Sequence, residues 1–80
     1  MKINTLFFGI TTDLVGTSQL QVEVDENSSI ADFKAVLQDE FSQLENINSY
    51  AIAVNEEYAT DAVVLKENDV VAVIPPVSGG

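Results

Sequence analysis

Cysteine, histidine, arginine and tryptophan are all absent from this 80-residue chain. The missing cysteines and histidines exclude thiol nucleophiles, disulfides, imidazole bases and the ligand sets of zinc, copper and iron–sulfur centres. An Asp-x-Asp-x-Asp-Gly run of the kind that binds Ca²⁺ is also lacking. We therefore predict that this chain holds no metal and no cofactor, and we expect no independent enzymatic activity from a domain of this size.

Positive charge is scarce as well, because three lysines stand against 13 acidic residues and the formal net charge is −10. Nucleic acids and anionic membrane surfaces are bound through cationic side chains, so neither is an expected partner. The longest mainly apolar run, residues 70–77, is too short to span a bilayer, and the first residues lack the apolar block of a signal peptide. The chain is therefore predicted to be cytoplasmic. Its acidity either attracts a basic partner or reflects the host proteome.

The periodicity of apolar residues predicts a two-layer α+β domain. Ser29 is a suitable N-cap residue, with Asp32 three positions later, and an apolar stripe at spacings of three or four follows. One amphipathic helix is therefore predicted, and its core-facing stripe comprises Ile30, Phe33, Leu37, Phe41 and Leu44. β-Forming residues predict five strands in the order β-β-α-β-β-β, at 2–8, 19–24, 50–54, 58–59 and 70–74. Turns or loops are predicted at 9–17, 25–28 and 66–69.

The sheet should have a second apolar face that the single helix cannot cover. Successive strand residues point to opposite faces, so Phe7 and Phe8 cannot both contact the helix. The last strand carries apolar residues at every position and must also place some on each face. We predict that Phe8, Tyr58 and Ile74 contribute to an exposed apolar patch, which usually marks a partner surface. In the alternative, residues 9–17 and 59–66 fold over this patch.

Beyond a domain of residues 1–74, the chain ends in a six-residue tail: Pro75, Pro76, Val77, Ser78, Gly79 and Gly80. The two prolines favour an extended backbone, and six residues reach roughly 20 Å. The two glycines have no side-chain bulk and could thread a narrow channel, or they could be a frayed end. In the first case the reactive group is the α-carboxylate of Gly80, which is ionised and a poor electrophile until another enzyme activates it.

Several segments resemble the small subunit of molybdopterin synthase, and the resemblance runs over essentially the whole chain. They are Leu6-Phe7-Phe8, Leu14-Val15-Gly16, Ala53-Val54-Asn55, Asn68-Asp69-Val70-Val71-Ala72 and the ending Pro75-Pro76-Val77-Ser78-Gly79-Gly80. The resemblance implies the ubiquitin-like β-grasp fold, a mixed sheet of about five strands with one main helix on one face. The first and last strands are neighbours in that fold.

The resemblance also implies that the chain is a sulfur carrier in molybdenum cofactor biosynthesis. A ubiquitin-activating-like adenylyltransferase would use ATP to adenylate Gly80, and a sulfur donor protein would supply the sulfur of a Gly80 thiocarboxylate. Residues 75–80 would then enter the active site of the large synthase subunit and give the sulfur to cyclic pyranopterin monophosphate. Phe8, Tyr58 and Ile74 match positions that pack against the large subunit, in a heterotetramer of two small and two large subunits.

One pair of residues departs from the family. Many members carry Arg-Glu where this chain has Thr12-Asp13, so a charged contact between that Arg and the large subunit would be missing here. Three other functions remain open. Sulfur carriers of thiamine biosynthesis use the same glycine chemistry, but they are usually shorter and lack Pro-Pro-Val before Ser-Gly-Gly. Archaeal and eukaryotic relatives are protein modifiers that join the terminal glycine to a lysine. The last alternative is a non-covalent binding module whose glycines have no chemical role.

Overall fold

A computed structural model describes residues 1–44 and 47–76, so the terminal residues 77–80 lie outside the described part of the chain. Five strands, two helices and one 3₁₀ turn make up the described fold. In chain order they are β1 (Lys2–Phe7), α1 (Ile10–Val15), β2 (Gln19–Glu23), α2 (Ile30–Glu40), the 3₁₀ turn (Ile47–Ser49), β3 (Ala51–Val54), β4 (Glu57–Tyr58) and β5 (Val70–Ile74). The α+β class and the five predicted strands are confirmed, each strand within one residue of its predicted bounds.

The five strands form one mixed sheet in the order β2-β1-β5-β3-β4. β1 and β5 are parallel, whereas β1–β2, β3–β5 and β3–β4 are antiparallel pairs. The first and last strands are therefore neighbours at the centre of the sheet, as the resemblance implies. Because β5 is flanked on both sides, the residues that follow it leave from the middle of the sheet and not from an edge.

The core lies between the sheet and α2. Alternate residues of the three central strands face this core and are at most 3% exposed: Ile3, Thr5, Phe7, Val71, Val73 and Ile52. From α2, the stripe residues Ile30, Phe33 and Leu37 are completely buried against them. The ring of Phe7 also meets Phe41 edge to face, with 6.5 Å between the ring centroids. The predicted alternation of the strands and the predicted face of the helix are both confirmed.

A capping box starts α2 where the sequence predicts it. The Ser29 hydroxyl accepts from the Asp32 amide at 3.2 Å, and the Asp32 carboxylate accepts from the Ser29 amide at 3.0 Å. The helix ends at Glu40, however, and is shorter than its apolar stripe. Asp39 and Glu40 place negative charge at the negative end of the helix dipole, and the last turn has no basic residue to offset it.

Residues 9–17 contain a helix and are not only a turn, so the predicted element order is wrong at this point. The observed order is β-α-β-α-β-β-β, with α1 inserted between the first two strands. Gly16 ends α1 in the left-handed conformation, and its amide donates to the Thr12 carbonyl at 2.8 Å. Leu14 and Val15 pack against the core. With only six residues, two of them threonines, α1 depends on these tertiary contacts and leaves little signal in the sequence.

Residues 59–66 lie on the helix side of the sheet. The Ile30 and Ala31 amides donate to the carbonyls of Val63 and Asp61, at 2.9 and 3.1 Å. The Lys34 ammonium forms an ion pair with the Asp61 carboxylate at 2.8 Å. This segment therefore extends along the start of α2 and leaves the other face of the sheet open. No helix in the described ranges has the length and apolar character that crossing a membrane requires.

Candidate docking face and tail exit

Strand pairing assembles a row of apolar residues on the face of the sheet that α2 does not cover. Ala53 of β3 pairs with Tyr58 of β4 and with Ala72 of β5, and Ala72 in turn pairs with Leu6 of β1. Since paired residues point to the same face, these four side chains lie side by side across four strands. Their order in the row is Tyr58, Ala53, Ala72 and Leu6.

A second row lies closer to the end of β5. Ala51 pairs with Ile74, and on the other side of β5 the Phe8 amide donates to the Val73 carbonyl at 3.3 Å. Phe8 follows the buried Phe7 and therefore points to the uncovered face. We call the two rows together the apolar face, which consists of Leu6, Phe8, Ala51, Ala53, Tyr58, Ala72 and Ile74.

The most exposed large side chains of the apolar face are two of the three that the sequence predicts. Tyr58 is 79% exposed and Phe8 is 47% exposed, while Ile74 is half-buried between its neighbouring strands. Residues 9–17 and 59–66 therefore leave most of Tyr58 and about half of Phe8 exposed. The structure thus brings the three predicted interface residues onto one face, and their contact with a partner stays a prediction.

The same face of the sheet is polar at its other end. Lys2, Asn4, Gln21 and Glu23 alternate there with the buried residues of β1 and β2. Val70, which pairs with Asn4 and is 38% exposed, adds apolar surface to this end, whereas Gln19 pairs with Leu6 and borders the apolar face on β2. The Gln21 amide group donates to the Asn4 side-chain oxygen at 3.2 Å, so two of these groups satisfy each other within the sheet. The large exposed aromatic side chains of this face, Phe8 and Tyr58, therefore lie towards the end of the sheet where β5 ends and the tail begins. A partner that excludes water from this end would not have to bury the polar pairs.

The tail leaves the domain at Pro75, directly after β5. Pro75 is half-buried, with its ring against Gly9, whereas Pro76 is exposed. Proline donates no hydrogen bond, so β5 cannot continue its ladder through Pro75. The remaining tail positions, Val77, Ser78, Gly79 and Gly80, lie outside the described residues, and their predicted roles stay predictions.

Thr12, at the position where the resemblance implies Arg in many family members, is used inside the chain. Its hydroxyl donates to the Phe7 carbonyl at 3.2 Å, and the neighbouring Thr11 hydroxyl donates to the Phe8 carbonyl. The two threonines thus hold the end of β1, immediately beside the apolar face. Asp13 is exposed.

Sequence reasoning missed Leu6 and the alanines of the apolar face, and it missed the contact of Gly9. Leu6 and Ala72 could have been found by counting two positions back from Phe8 and Ile74, because strand residues alternate. Ala51 and Ala53 depend on the pairing of β3 with β5, which one sequence does not reveal. Gly9 leaves no periodic signal at all, since its importance lies in which side chain approaches its backbone.

Comparison with known families identifies the group to which this architecture belongs: residues 5–80 match the ThiS family. The chain belongs to this family. The molybdopterin synthase sulfur carrier subunit of Arabidopsis thaliana is 33% identical over 81 residues, a match that covers all of this chain and 84% of that protein. The predicted family is therefore confirmed, and this chain is a homologue of molybdopterin synthase sulfur carrier subunits.

Solved structures confirm the β-grasp fold. SAMP1 from Haloferax volcanii superposes with a TM-score of 0.89 at 22% identity, over the full length of both chains. A chain in the complex of subunits 1 and 2 of the molybdopterin-converting factor from Helicobacter pylori gives a TM-score of 0.70 at 26% identity, again over both full lengths. The five-stranded mixed sheet with one main helix is the ubiquitin-like arrangement that the resemblance implies.

Proposed function

We propose that this chain is the sulfur carrier subunit of molybdopterin synthase. The sulfur atom that it donates is carried as a thiocarboxylate at Gly80. The observation that most directly supports this function is the position of the apolar face around the start of the tail. Phe8 and Tyr58 lie exposed on opposite sides of β5, the strand from which the tail continues. A partner that covers this face is therefore placed directly against the first tail residue.

The docked partner is the large subunit, and its active site receives residues 75–80. Six residues in extended conformation reach roughly 20 Å, so the active-site opening must lie within about that distance of Pro75. Burial of Phe8, Tyr58 and Ile74 holds the domain in place while the tail enters. The complex of subunits 1 and 2 from Helicobacter pylori supports this assignment of the partner.

Gly80 must be activated before it can accept sulfur, since a carboxylate is a poor electrophile. In an adenylation by a ubiquitin-activating-like enzyme, a Gly80 carboxylate oxygen attacks the α-phosphorus of ATP and pyrophosphate leaves. A sulfur nucleophile at the oxidation level of hydrosulfide then attacks the acyl carbon. AMP leaves with the electron pair of the broken carbon–oxygen bond, and loss of a proton gives the thiocarboxylate. The chain has no cysteine, so a separate donor protein supplies the sulfur.

Transfer takes place in the large subunit on cyclic pyranopterin monophosphate. The thiocarboxylate sulfur forms a bond to a carbon of the pterin, and an oxygen substituent on that carbon leaves with its electron pair. Water then attacks the Gly80 acyl carbon and breaks its bond to sulfur, which restores the carboxylate for another cycle. The folded domain contributes docking and delivery to these steps, and Gly80 is the residue of this chain whose bonds change. We place the process in the cytoplasm, in a heterotetramer of two small and two large subunits.

Intact-mass measurement tests this function. The chain is purified from a host that contains the activating enzyme and the sulfur donor, and the expected result is a species in which one oxygen is replaced by sulfur. The matched control is a chain without Gly80, which should show no such species and should not support molybdopterin formation. Lysine-linked conjugates in place of the thiocarboxylate would favour a protein modifier. A thiocarboxylate that restores thiamine synthesis but not molybdopterin synthesis would favour the thiamine carrier. If the chain without Gly80 supports molybdopterin formation, the proposal is wrong.

A further inference from the structure

We propose that Gly9 is a positioning residue that sets the direction in which the tail leaves β5, through its contact with Pro75. The consequence for sulfur transfer rests on the proposed function, whereas the effect on tail direction does not. The proposal concerns residues outside the apolar face. Docking then depends on the apolar face, whereas the direction of the tail depends on Gly9 and Pro75.

The backbone of Gly9 has φ +58° and ψ −137°, a conformation that residues with a side chain rarely adopt. A Cβ built on Gly9 would lie 3.2 Å from Cγ and 3.9 Å from Cδ of Pro75. The first distance is shorter than ordinary van der Waals contact, so even one methyl group would require the proline ring to move. Glycine at position 9 therefore permits the path that the chain takes through Pro75.

The surroundings of Gly9 are anchored, so Pro75 is the side that yields. Phe8, just before Gly9, is hydrogen-bonded to the Val73 carbonyl at 3.3 Å. Just after it, the Thr12 amide donates to the Gly9 carbonyl at 3.2 Å, and the Thr12 hydroxyl donates to the Phe7 carbonyl at 3.2 Å. Pro75, in contrast, is the first residue beyond the last strand and donates no ladder hydrogen bond.

A shift at Pro75 matters because it lies at the base of the tail. The ring fixes φ of Pro75, so moving the ring changes the direction of everything that follows. Misplacement of a reacting group by about 1 Å can cost about 100-fold in rate. Gly80 lies five positions beyond Pro75, and a displacement of a few tenths of an ångström at the base can grow along that length.

Gly16 provides a control for backbone strain within the same chain. Its φ of +90° and ψ of +6° lie in the left-handed region, so alanine there is also strained, although less than at Gly9, whose ψ of −137° lies where side chains are rarer still. No atom lies within 4 Å of a Cβ built on Gly16. Gly9→Ala and Gly16→Ala thus both strain an end of α1, and only Gly9→Ala also pushes on Pro75.

The first experiment measures tail direction without any sulfur chemistry. Because the chain has no cysteine, Gly80→Cys provides a single attachment site for a nitroxide label. Paramagnetic broadening of backbone amide signals then reports which parts of the sheet the tail approaches. Gly9→Ala should change the broadening profile over β1, β3 and β5, and Gly16→Ala should leave it as in the parent chain. Matching profiles for Gly9→Ala and the parent chain would overturn the proposal.

The second experiment measures sulfur transfer from the thiocarboxylate form in single-turnover reactions at increasing concentrations of the large subunit. Gly9→Ala should lower the limiting rate by about 10-fold or more, with a half-saturating concentration close to that of the unsubstituted chain. Gly16→Ala should change neither value. In a Pro75→Ala background, which removes Cγ and Cδ, the Gly9→Ala substitution should have a much smaller effect. An equal effect in both backgrounds would contradict the role of the Pro75 contact.

Two outcomes separate this inference from the proposed function. If the unsubstituted thiocarboxylate transfers no sulfur, the proposed function is wrong, and the nitroxide measurement still decides the role of Gly9. If Gly9→Ala fails to fold, Pro75→Ala removes the same contact from the other side, with Pro76→Ala as its exposed counterpart. Pro75→Ala should then change the broadening profile more than Pro76→Ala, and equal profiles would overturn the proposal.

Discussion

Phe7 and Phe8 are adjacent residues of one type on opposite faces of the sheet, and their substitution by alanine should separate folding from docking. Phe7 is 2% exposed and its ring meets Phe41, whereas Phe8 is 47% exposed on the apolar face. Phe7→Ala should therefore mainly lower the free energy of unfolding. Phe8→Ala should mainly weaken binding to the large subunit. Each variant is the control for the other.

The expected magnitudes follow from exposure. A phenylalanine has roughly 200 Å² of accessible surface, so the 47% of Phe8 that is exposed leaves about 95 Å² for a partner to bury. At about 25 cal/mol per Å² this burial contributes roughly 2 kcal/mol, or about a 30-fold change in Kd. Loss of the buried part of Phe8 should cost the fold about 1–2 kcal/mol. Phe7→Ala opens a cavity in the core and should cost about 3–5 kcal/mol.

Two measurements check these values. Urea unfolding of each variant gives the free energy of unfolding, and titration calorimetry with the large subunit gives Kd at a temperature where all variants are folded. Phe7→Ala should leave Kd within about threefold of the unsubstituted chain, because the side chain does not reach the apolar face. If Phe8→Ala leaves Kd unchanged and destabilises the fold as much as Phe7→Ala does, Phe8 is a core residue and the assignment of the docking face is wrong.

Three further predictions concern the core and the charge of the domain. Asp61→Ala should lower the free energy of unfolding by about 1–2 kcal/mol, because it leaves the Lys34 ammonium, whose side chain is only 9% exposed, without its ion-pair partner. Lys34→Met should cost less, since an apolar side chain replaces the buried charge, and an equal loss in urea unfolding would count against this reasoning. Ser29→Ala removes half of the capping box and should cost about 1 kcal/mol, with an unchanged unfolding midpoint as the contrary result. With a net charge of −10, association with the activating enzyme should slow as salt increases in stopped-flow measurements, and a rate that does not respond to salt would exclude electrostatic attraction.

The elements that follow from short-range patterns could be predicted from the sequence. Alternation in β2, the apolar run of β5 and the capping box of α2 each depend on residues a few positions apart. The two-face argument likewise needs only the adjacency of Phe7 and Phe8, and it places Phe8 correctly. These features share one property: the side chains that specify them are neighbours in sequence as well as in space.

Features that depend on distant residues could not be read in the same way. α1 is too short to have a clear period, and it is stabilised by the burial of Thr11 and the packing of Leu14 and Val15. The place of Ala51 beside Ile74 follows from strand pairing, and the proximity of Gly9 to Pro75 follows from the parallel pairing of the first and last strands. In each case a contact between residues far apart along the chain decides the outcome, and local propensity carries no information about it.

Under the proposed function, the central position of β5 allows one small domain to combine docking with delivery of its tail. If the tail continued from an edge strand, apolar residues of the sheet could adjoin its start on one side only. Because β5 lies between β1 and β3, Phe8 and Ala51 flank Ile74 from both sides, and Gly9 contacts Pro75 at the next position along the chain. A partner that buries this region is thereby aligned with the tail in two directions across the sheet. Such alignment would reduce the orientational freedom of the terminal glycine before any chemistry begins, and restricted orientation of this kind lowers the barrier to the reaction that follows.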